Sequence, residues 1–320
     1  MSLAIVPLGE EHLEDAAALT CRRYRGLREL VPLLPSRYGD VLTLLPLLHD
    51  IAAAGPGVAA IRRGRLVGFL AGWLLPSFRG RRAAFSPEWA NGAGAEGGRR
   101  IYEEMYTYLS AAWVEKGTHT HLISTLANDS DCMSVFHWLG FGMIAADAVR
   151  GLEPIAGVTG DGRVRRGGLG DIEAAMALSE ALEQHMASAP TFLAHDEPRD
   201  RQHYEAWLAN PANALWLACH GAEAVAFMTL GPASTDACTI IQDDKTASIV
   251  AAFASESVRG QGIAAALLNW ALEWARGEGY ERCAVDFEPM NPWAAHFWLK
   301  HFQAVGYTLV RYVDRWGESH

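Results

Sequence analysis

The sequence predicts a mixed α/β protein made of two similar halves, each a central mixed sheet flanked by helices. Three observations lead to this prediction. Amphipathic helical stripes recur in both halves at a constant offset, short apolar runs follow them as strands do, and a stretch rich in glycine and arginine lies near the middle. A length of 320 residues is enough for about two domains.

The two clearest helical stripes share one internal spacing. Their apolar residues are Ile101, Met105, Tyr108, Leu109 and Ala112 in one half, and Ile263, Leu267, Trp270, Ala271 and Trp274 in the other. Intervals of 4, 3, 1 and 3 place such residues on one face of a helix. The second stripe follows the first by 162 positions throughout, and so do Gly117 and Gly279, which are predicted to end the two helices.

The offset continues past the helices. Residues 121–125 and 283–287 are short apolar runs typical of strands, and each precedes an aromatic-rich helix in which Phe136 and Trp298 correspond. In the C-terminal half, strands are predicted at 214–219, 224–231, 247–254, 282–287 and 307–314. These patterns predict domains at residues 1–153 and 169–320, joined by a linker at 154–168.

Composition favours some classes of protein over others. A formal charge of −10 disfavours binding to nucleic acid or anionic membranes. Five scattered cysteines contain no C-x-x-C pair, so neither a disulfide framework nor a structural metal site is expected. The sequence shows no membrane-spanning apolar run and no signal peptide at its start, so we expect a cytoplasmic protein.

The segment from Ala252 to Ala264 carries the most chemical information. An apolar strand leads through a short turn into a long helix. The first N–H groups of a helix lack internal acceptors and, with the helix dipole, attract anions. Gly260 and Gly262 let the backbone approach a phosphate closely, and Arg259 adds positive charge. The alternative is a plain strand–turn–helix whose glycines serve only the turn.

The wider pattern resembles the acyl-CoA site of the GNAT superfamily of N-acetyltransferases. In that family a strand precedes [Gln/Arg]-x-x-Gly-x-[Gly/Ala] at the start of a long helix, and Arg259, Gly262 and Ala264 fill these positions. A strand, Asn291 and a helix carrying Trp298 follow in the family's order. The resemblance covers about residues 169–320, and the two-domain layout is similar to that of mycothiol synthase.

The resemblance implies acetyl-CoA as co-substrate, no metal, and a set of binding residues. Backbone groups of Ala252, Phe253 and Ala254 would hold the pantetheine arm and the thioester carbonyl. The implied pyrophosphate site consists of Arg259, Gly260, Gln261, Gly262, Ile263 and Ala264. Asn291 would contact the pantetheine arm or the sulfur region, and Trp298 would lie near the thioester.

Several departures concern the family's proton-transfer groups. Many members have a tyrosine, which can protonate the leaving thiolate, where this chain has Trp298, and some have a glutamate near the position of Ser248. Because an amine must lose a proton to attack a thioester, another base or a water relay is needed. Asp286 and Glu288 lie on one face at the end of a strand and are the predicted catalytic residues. The alternative is a solvated strand end.

The N-terminal half departs further from the family pattern. At the offset of 162, Arg100 and Tyr102 correspond to Gly262 and Ala264, so side chains stand where a phosphate would meet backbone. This half does keep Phe136-x-x-x-Gly140-Phe141, which resembles the family's helix ending. We therefore expect a degenerate GNAT-like domain that keeps the fold and has lost the cofactor site.

The leading functional hypothesis is an acetyl-CoA-dependent N-acetyltransferase, a monomer or homodimer that acts on a small-molecule or peptide amine. Two alternatives remain open: a sensor that binds acyl-CoA without turnover, and an unrelated phosphate- or nucleotide-binding protein. The remaining polar cluster consists of His195, Asp196, Glu197, His203 and Glu205. It lacks the spacing of a known metal motif, so we interpret it as a polar loop beside the acceptor pocket.

Overall fold

The computed structural model describes residues 3–158, 163–193, 200–233 and 238–314. Within these ranges the chain forms eight α-helices and fourteen β-strands, so the predicted mixed α/β class is confirmed. Two compact units are present. The first comprises Met1–Asp147, Cys238–Ile240 and Ala304–His320, and the second comprises Ala148–Ala237 and Ile241–Gln303. None of the described helices is long and apolar enough to cross a membrane.

The first unit contains four helices and two groups of hydrogen-bonded strands. Its helices are α1 Leu13–Leu30, α2 Val41–Ala54, α3 Gly98–Glu115 and α4 Ser130–Trp138. Its strands are β1 Ala4–Pro7, β2 Gly57–Arg62, β3 Arg65–Ala71, β4 Trp73–Phe78, β5 Arg81–Ser86, β6 Asn91–Ala93, β7 Thr120–Leu126, β8 Gly142–Gly151 and β14 Gln303–Tyr312. Two of these strands belong to the unit only in part: β8 up to Asp147, and β14 from Ala304 onward. The strands follow one another as β1-β2-β3-β6 and as β4-β5-β7-β14-β8, with β5 and β7 parallel.

The second unit contains the predicted cofactor segment. Its helices are α5 Ile172–Ala187, α6 Arg201–Ala209, α7 Ile263–Gly277 and α8 Pro292–His301. Its strands are β9 Val164–Arg166, β10 Ala214–His220, β11 Glu223–Pro232, β12 Thr246–Ala254 and β13 Arg282–Phe287, in the order β13-β12-β11-β10-β9. Only β12 and β13 of this set run parallel. β9 lies within the segment 154–168 that the sequence predicts as a linker. The domain boundaries at 1–153 and 169–320 stay a prediction.

The predicted stripes form α3 and α7 and face their cores, with one exception. Ile101, Met105 and Leu109 are at most 1% exposed, whereas Tyr108 is 53% exposed. The prediction for Tyr108 was therefore wrong, and Trp113, fully buried, takes the core position on the next turn. On α7, Trp270 instead stacks on Trp216 of β10.

The predicted helix-ending glycines have the left-handed backbone that their role requires. Gly117 has φ +75° and Gly279 has φ +85°. After α3 the N–H of Thr118 donates to the carbonyl of Trp113, and after α7 the N–H of Tyr280 donates to the carbonyl of Ala275. These bonds span five residues, as in a Schellman motif, and they keep the offset of 162.

The last strand begins earlier than predicted. The sequence predicts 307–314, whereas β14 spans Gln303–Tyr312 and begins one residue after the C-cap of α8 at Phe302. An extended residue at the C-cap leads straight into the strand, whereas Gly140 (φ +85°) turns the chain after α4 in the first unit. β14 then pairs antiparallel with β7, from Gly306 opposite Leu126 to Tyr312 opposite Thr120.

Candidate acyl-CoA groove

Two neighbouring strands of the second unit separate partway along their length. β12 and β13 pair in parallel only from Thr246 opposite Arg282 to Ile249 opposite Val285. At this point the register of β12 against β11 shifts, so that Val250 has no partner and is 41% exposed. A β-bulge bends a strand and increases its twist. The bulge therefore directs the end of β12 away from β13 and opens a cleft.

The predicted pantetheine-binding segment forms one wall of this cleft. Ala252, Phe253 and Ala254 pair with β11 along one edge. Past Ile249 their other edge no longer pairs with β13, which leaves backbone groups on that edge for a ligand. One of these groups is already used, because the Nε of Arg259 donates to the carbonyl of Ala254 at 3.2 Å.

The turn after β12 presents bare backbone to the cleft. Gly260 (φ +75°) and the N-cap Gly262 (φ +79°) are both left-handed, which explains why glycine is required at these positions. Apart from its chain neighbours and the backbone of its own helix, a Cβ placed on either residue would have no atom of the described residues within 4 Å. The N–H groups of Ile263 and Ala264 then begin α7 without helical acceptors. The loop has the shape and the donors of a phosphate site.

Arg259 fixes the position of this turn against both walls. Its guanidinium lies over the rings of Trp293, at 5.5 Å, and Phe253, at 5.9 Å. Its Nη1 is 3.4 Å from the carboxylate of Glu256, an exposed residue that offsets part of its charge. Arg259 thus joins the end of β12 to the first turn of α8 and places a cation beside the loop.

The opposite wall is α8, which begins at the predicted Asn291. The Oδ1 of Asn291 accepts from the N–H of Ala294 and caps the helix, while its Nδ2 lies 3.5 Å from the sulfur of Met186 on α5. Trp298, 6% exposed, packs edge-on against Phe297. Since Trp298 offers only an indole N–H, it cannot act as the acid that a tyrosine supplies.

Together these walls enclose a cavity of about 400 Å³. Of the residues predicted to bind the cofactor, ten line it: Ala252, Phe253, Ala254, Arg259, Gly260, Gly262, Ile263, Ala264, Asn291 and Trp298. Gln261 does not line it; its amide donates to the carbonyl of Ser257 at 2.9 Å and holds the turn. The cavity also has lining residues that sequence reasoning did not assign to it, among them Leu182, His185, Lys300 and His301.

The two histidines that line the cavity, His185 and His301, lie in different surroundings. His185 is in the last turn of α5, and its ring centroid lies 6.3 Å from that of Phe253. His301, at the C-terminal end of α8, packs on Phe297 at 4.9 Å. Burial, together with the cations Arg150 and Lys300, lowers the pKa of His301 below its ordinary value. No sequence motif distinguishes either histidine, since each reaches the cavity only through packing.

The predicted catalytic carboxylates lie at the end of β13. Asp286 is exposed and Glu288 half-buried, and neither is among the residues that line the cavity. Their catalytic role stays a prediction. Of the polar cluster that includes His203 and Glu205, residues 195–197 lie outside the described part of the chain. Among the described residues, no group of three or more His, Cys, Asp or Glu side chains is arranged to hold a metal ion.

The corresponding helix start in the first unit is built differently. The left-handed N-cap of α3 is Gly97 (φ +76°), so the structural counterpart of Gly262 is Gly97, not Arg100 as the constant offset predicts. The helix therefore begins about one turn earlier than α7 does. A Cβ placed on the next residue, Gly98, would lie 2.6 Å from the carboxylate of Asp131. A carboxylate of the chain itself thus occupies the space beside this helix start.

A buried ion pair lies at the start of α4 in the first unit. Asp129, the counterpart of Asn291 at the offset of 162, caps α4 and forms a salt bridge with Arg23 of α1. The hydroxyl of Tyr102 donates to the same carboxylate at 2.6 Å. Their side chains are nearly buried, so the network holds α1, α3 and α4 together.

Comparisons with known proteins agree with this geometry. Residues 179–302 match the acetyltransferase (GNAT) family model. A GCN5-related N-acetyltransferase from Sphaerobacter thermophilus superposes with a TM-score of 0.59 at 12% identity, covering 98% of this chain and 96% of that chain. A glucosamine N-acetyltransferase region of a fungal multi-domain GH3 β-N-acetylglucosaminidase has a TM-score of 0.53 at 10% identity, covering 97% of this chain and 38% of that chain. Such identities show a shared fold. No curated protein sequence matches the chain.

Proposed function

We propose that this chain transfers an acetyl group from acetyl-CoA to the amine of a small molecule or peptide. The proposal starts from the GNAT-family domain at residues 179–302. One observation carries the proposal. The cavity joins the open edge of β12 to a helix start with two left-handed glycines. In the described part of the chain, beyond the adjoining backbone, no atom lies within 4 Å of a Cβ position on either glycine. This combination suits a ligand with a phosphate end and an extended amide-containing arm.

The lining residues divide into two parts along such a ligand. The backbone N–H groups from Gly260 to Ala264 bind the pyrophosphate, with Arg259 supplying charge. The free edge of Ala252–Ala254 pairs with the pantetheine amides, and Asn291 faces the same arm. Bound acetyl-CoA supplies an activated thioester carbonyl, which the amine attacks directly.

Asp286 and Glu288 attract a cationic amine to the site. They follow the point where β13 separates from β12, and two carboxylates there produce a local negative field. Residues 169–320 form the catalytic domain. Residues 1–153 form a GNAT-like domain whose cofactor position is filled by the Arg23–Asp129 pair, and 154–168 link the two. We propose a cytoplasmic monomer or homodimer.

A sensor that binds acyl-CoA without turnover is the second candidate. Trp298 in place of a proton donor, and the position of Asp286 and Glu288 outside the cavity lining, favour it. Both candidates require the same groove. They differ only in whether thiol is released, which separates them experimentally.

The test has a binding arm and a turnover arm. Acetyl-CoA and CoA should raise the melting temperature of the full chain, and ATP at the same concentration should not. Thiol release from acetyl-CoA is then followed against a panel of small-molecule and peptide amines. Protection without amine-dependent thiol release supports the sensor, while equal protection by ATP contradicts an acyl-CoA site.

A further inference from the structure

The last turn of α5 lies between the two walls of the groove. His185 packs against Phe253 of β12, with ring centroids 6.3 Å apart. The side-chain Nδ2 of Asn291, at the start of α8, donates to the sulfur of the next residue, Met186, at 3.5 Å. Because one short segment touches both the strand wall and the helix wall, its position at the cleft is fixed from two sides.

The imidazole of His185 is free to act on a ligand. Among the described residues, neither of its ring nitrogens has a hydrogen-bond partner, whereas its backbone carbonyl accepts from the hydroxyl of Ser188. The ring lines the cavity and is half-buried. A neutral imidazole both accepts and donates a proton, which no other type of side chain among the described residues that line this cavity does near neutral pH.

The other groove histidine is held at a different place. His301 packs on Phe297 and is followed by Phe302, whose ring lies 5.8 Å from the guanidinium of Arg150. His301 therefore lies on the helix wall of the groove, at the C-terminal end of α8. His185 faces Phe253, which lies past the point of separation.

We propose that His185 is the proton-transfer residue of the acetyl transfer. This inference rests on the proposed function. As the amine nitrogen forms its bond to the thioester carbon, the imidazole takes a proton from that nitrogen. The C–S bond breaks, and the imidazolium returns the proton to the departing CoA sulfur. The sum is amine plus acetyl-CoA to amide plus CoA thiol, so one imidazole covers the two roles for which Trp298 and Ser248 are unsuited.

Affinity labelling tests the position of His185 without knowledge of the acceptor. Bromoacetyl-CoA carries an electrophilic methylene where the acetyl methyl lies. An imidazole nitrogen beside it attacks this carbon, bromide leaves, and the ring proton passes to solvent. We expect one covalent adduct per full-length chain that excess CoA suppresses, mapped to His185 by peptide mass spectrometry.

Matched variants make the labelling specific. His185→Gln should abolish the CoA-protected adduct, and His203→Gln, which removes an exposed histidine of α6 outside the groove, should keep it. Labelling of the intermediate-exposure thiols Cys219 and Cys238 is background, since CoA should not suppress it. A protected adduct on His301 or Lys300, with His185 unmodified, overturns the proposal.

Calorimetry with acetyl-CoA separates this inference from the function on which it rests. If acetyl-CoA does not bind, the proposed function and the role of His185 fail together. If it binds and no protected adduct forms on His185, only the role of His185 fails. With an accepted amine, His185→Gln should lower thiol release about 10²- to 10⁴-fold and leave the acetyl-CoA Kd within about twofold. Unchanged release contradicts the proposal.

Discussion

Replacing Gly262 by alanine tests two properties of this residue. Its left-handed backbone bears on stability, and the open space beside it bears on acetyl-CoA binding. Gly262 is the N-cap of α7 with φ +79°. A non-glycine residue in this conformation costs about 1–2 kcal/mol. Because no atom of the other described residues, beyond the adjoining backbone, lies within 4 Å of the new methyl group, no further steric cost is added. The variant should melt about 2–8 °C lower than the wild type.

The effect on binding should be larger than the effect on folding. The methyl group enters the space assigned to the pyrophosphate and displaces at least one hydrogen bond from a backbone N–H to a charged oxygen. Such a bond contributes about 1.5–3 kcal/mol, so the Kd for acetyl-CoA should rise about tenfold to a hundredfold. Isothermal titration calorimetry at 25 °C measures this change, and Gly262→Arg should remove binding altogether.

Gly279 provides a matched control at the other end of α7. It has φ +85° and likewise no atom within 4 Å of a Cβ position, and it lies outside the groove lining. Gly279→Ala should therefore cost similar stability and leave the Kd unchanged. If Gly262→Ala and Gly279→Ala both bind acetyl-CoA like the wild type, the loop is not the phosphate site and the reasoning fails.

Four further predictions follow from the same geometry. Calorimetry should give one acetyl-CoA per chain, and Arg100→Gly should change neither stoichiometry nor affinity; two equivalent sites would contradict the assignment of the first unit. A fragment of residues 166–320 should be insoluble, because β14 loses its partner β7 and exposes a strand edge; a soluble fragment with wild-type affinity would refute this. Glu288→Gln and Asp286→Asn should lower kcat/KM for a cationic amine and leave the acetyl-CoA Kd unchanged, and wild-type turnover from both would remove these carboxylates from the mechanism. Burial lowers the pKa of His121 to about 4, below the 6.5 of an unperturbed histidine. Since the unfolded chain takes up this proton first, unfolding free energy should fall by about 2–3 kcal/mol as the pH drops from 6.5 to 4, and His121→Gln should flatten that slope in denaturant titrations.

Much of the second unit follows from local pattern. The strands predicted at 214–219, 224–231, 247–254 and 282–287 agree with β10–β13 to within one residue at each end. Ten of the eleven residues predicted to bind the cofactor line one cavity. The agreement in position has a local cause: strand alternation, helical stripes and left-handed glycines are imposed by the backbone over a few residues, and they are visible without knowing what packs where. The role of these residues in binding a cofactor stays a prediction.

Prediction was weaker where a feature depends on distant parts of the chain. The offset of 162 equates Gly262 with Arg100, whereas the helix starts equate it with Gly97, because α3 has an additional turn that no apolar stripe marks. Tyr108 fits the stripe of α3 and is nevertheless exposed. In both cases the sequence period is correct, and the length or rotation of the helix is set by its neighbours.

The sequence by itself determined the mixed α/β class, the repeat and the glycine turn at the start of α7, because each is written in spacings of a few residues. Tertiary structure alone decided that β14 pairs with β7, that Arg23 and Asp129 form an ion pair in the first unit, and that His185 reaches Phe253. Those contacts join residues far apart in sequence. Their formation depends on packing between distant elements, which leaves no period or motif in the chain.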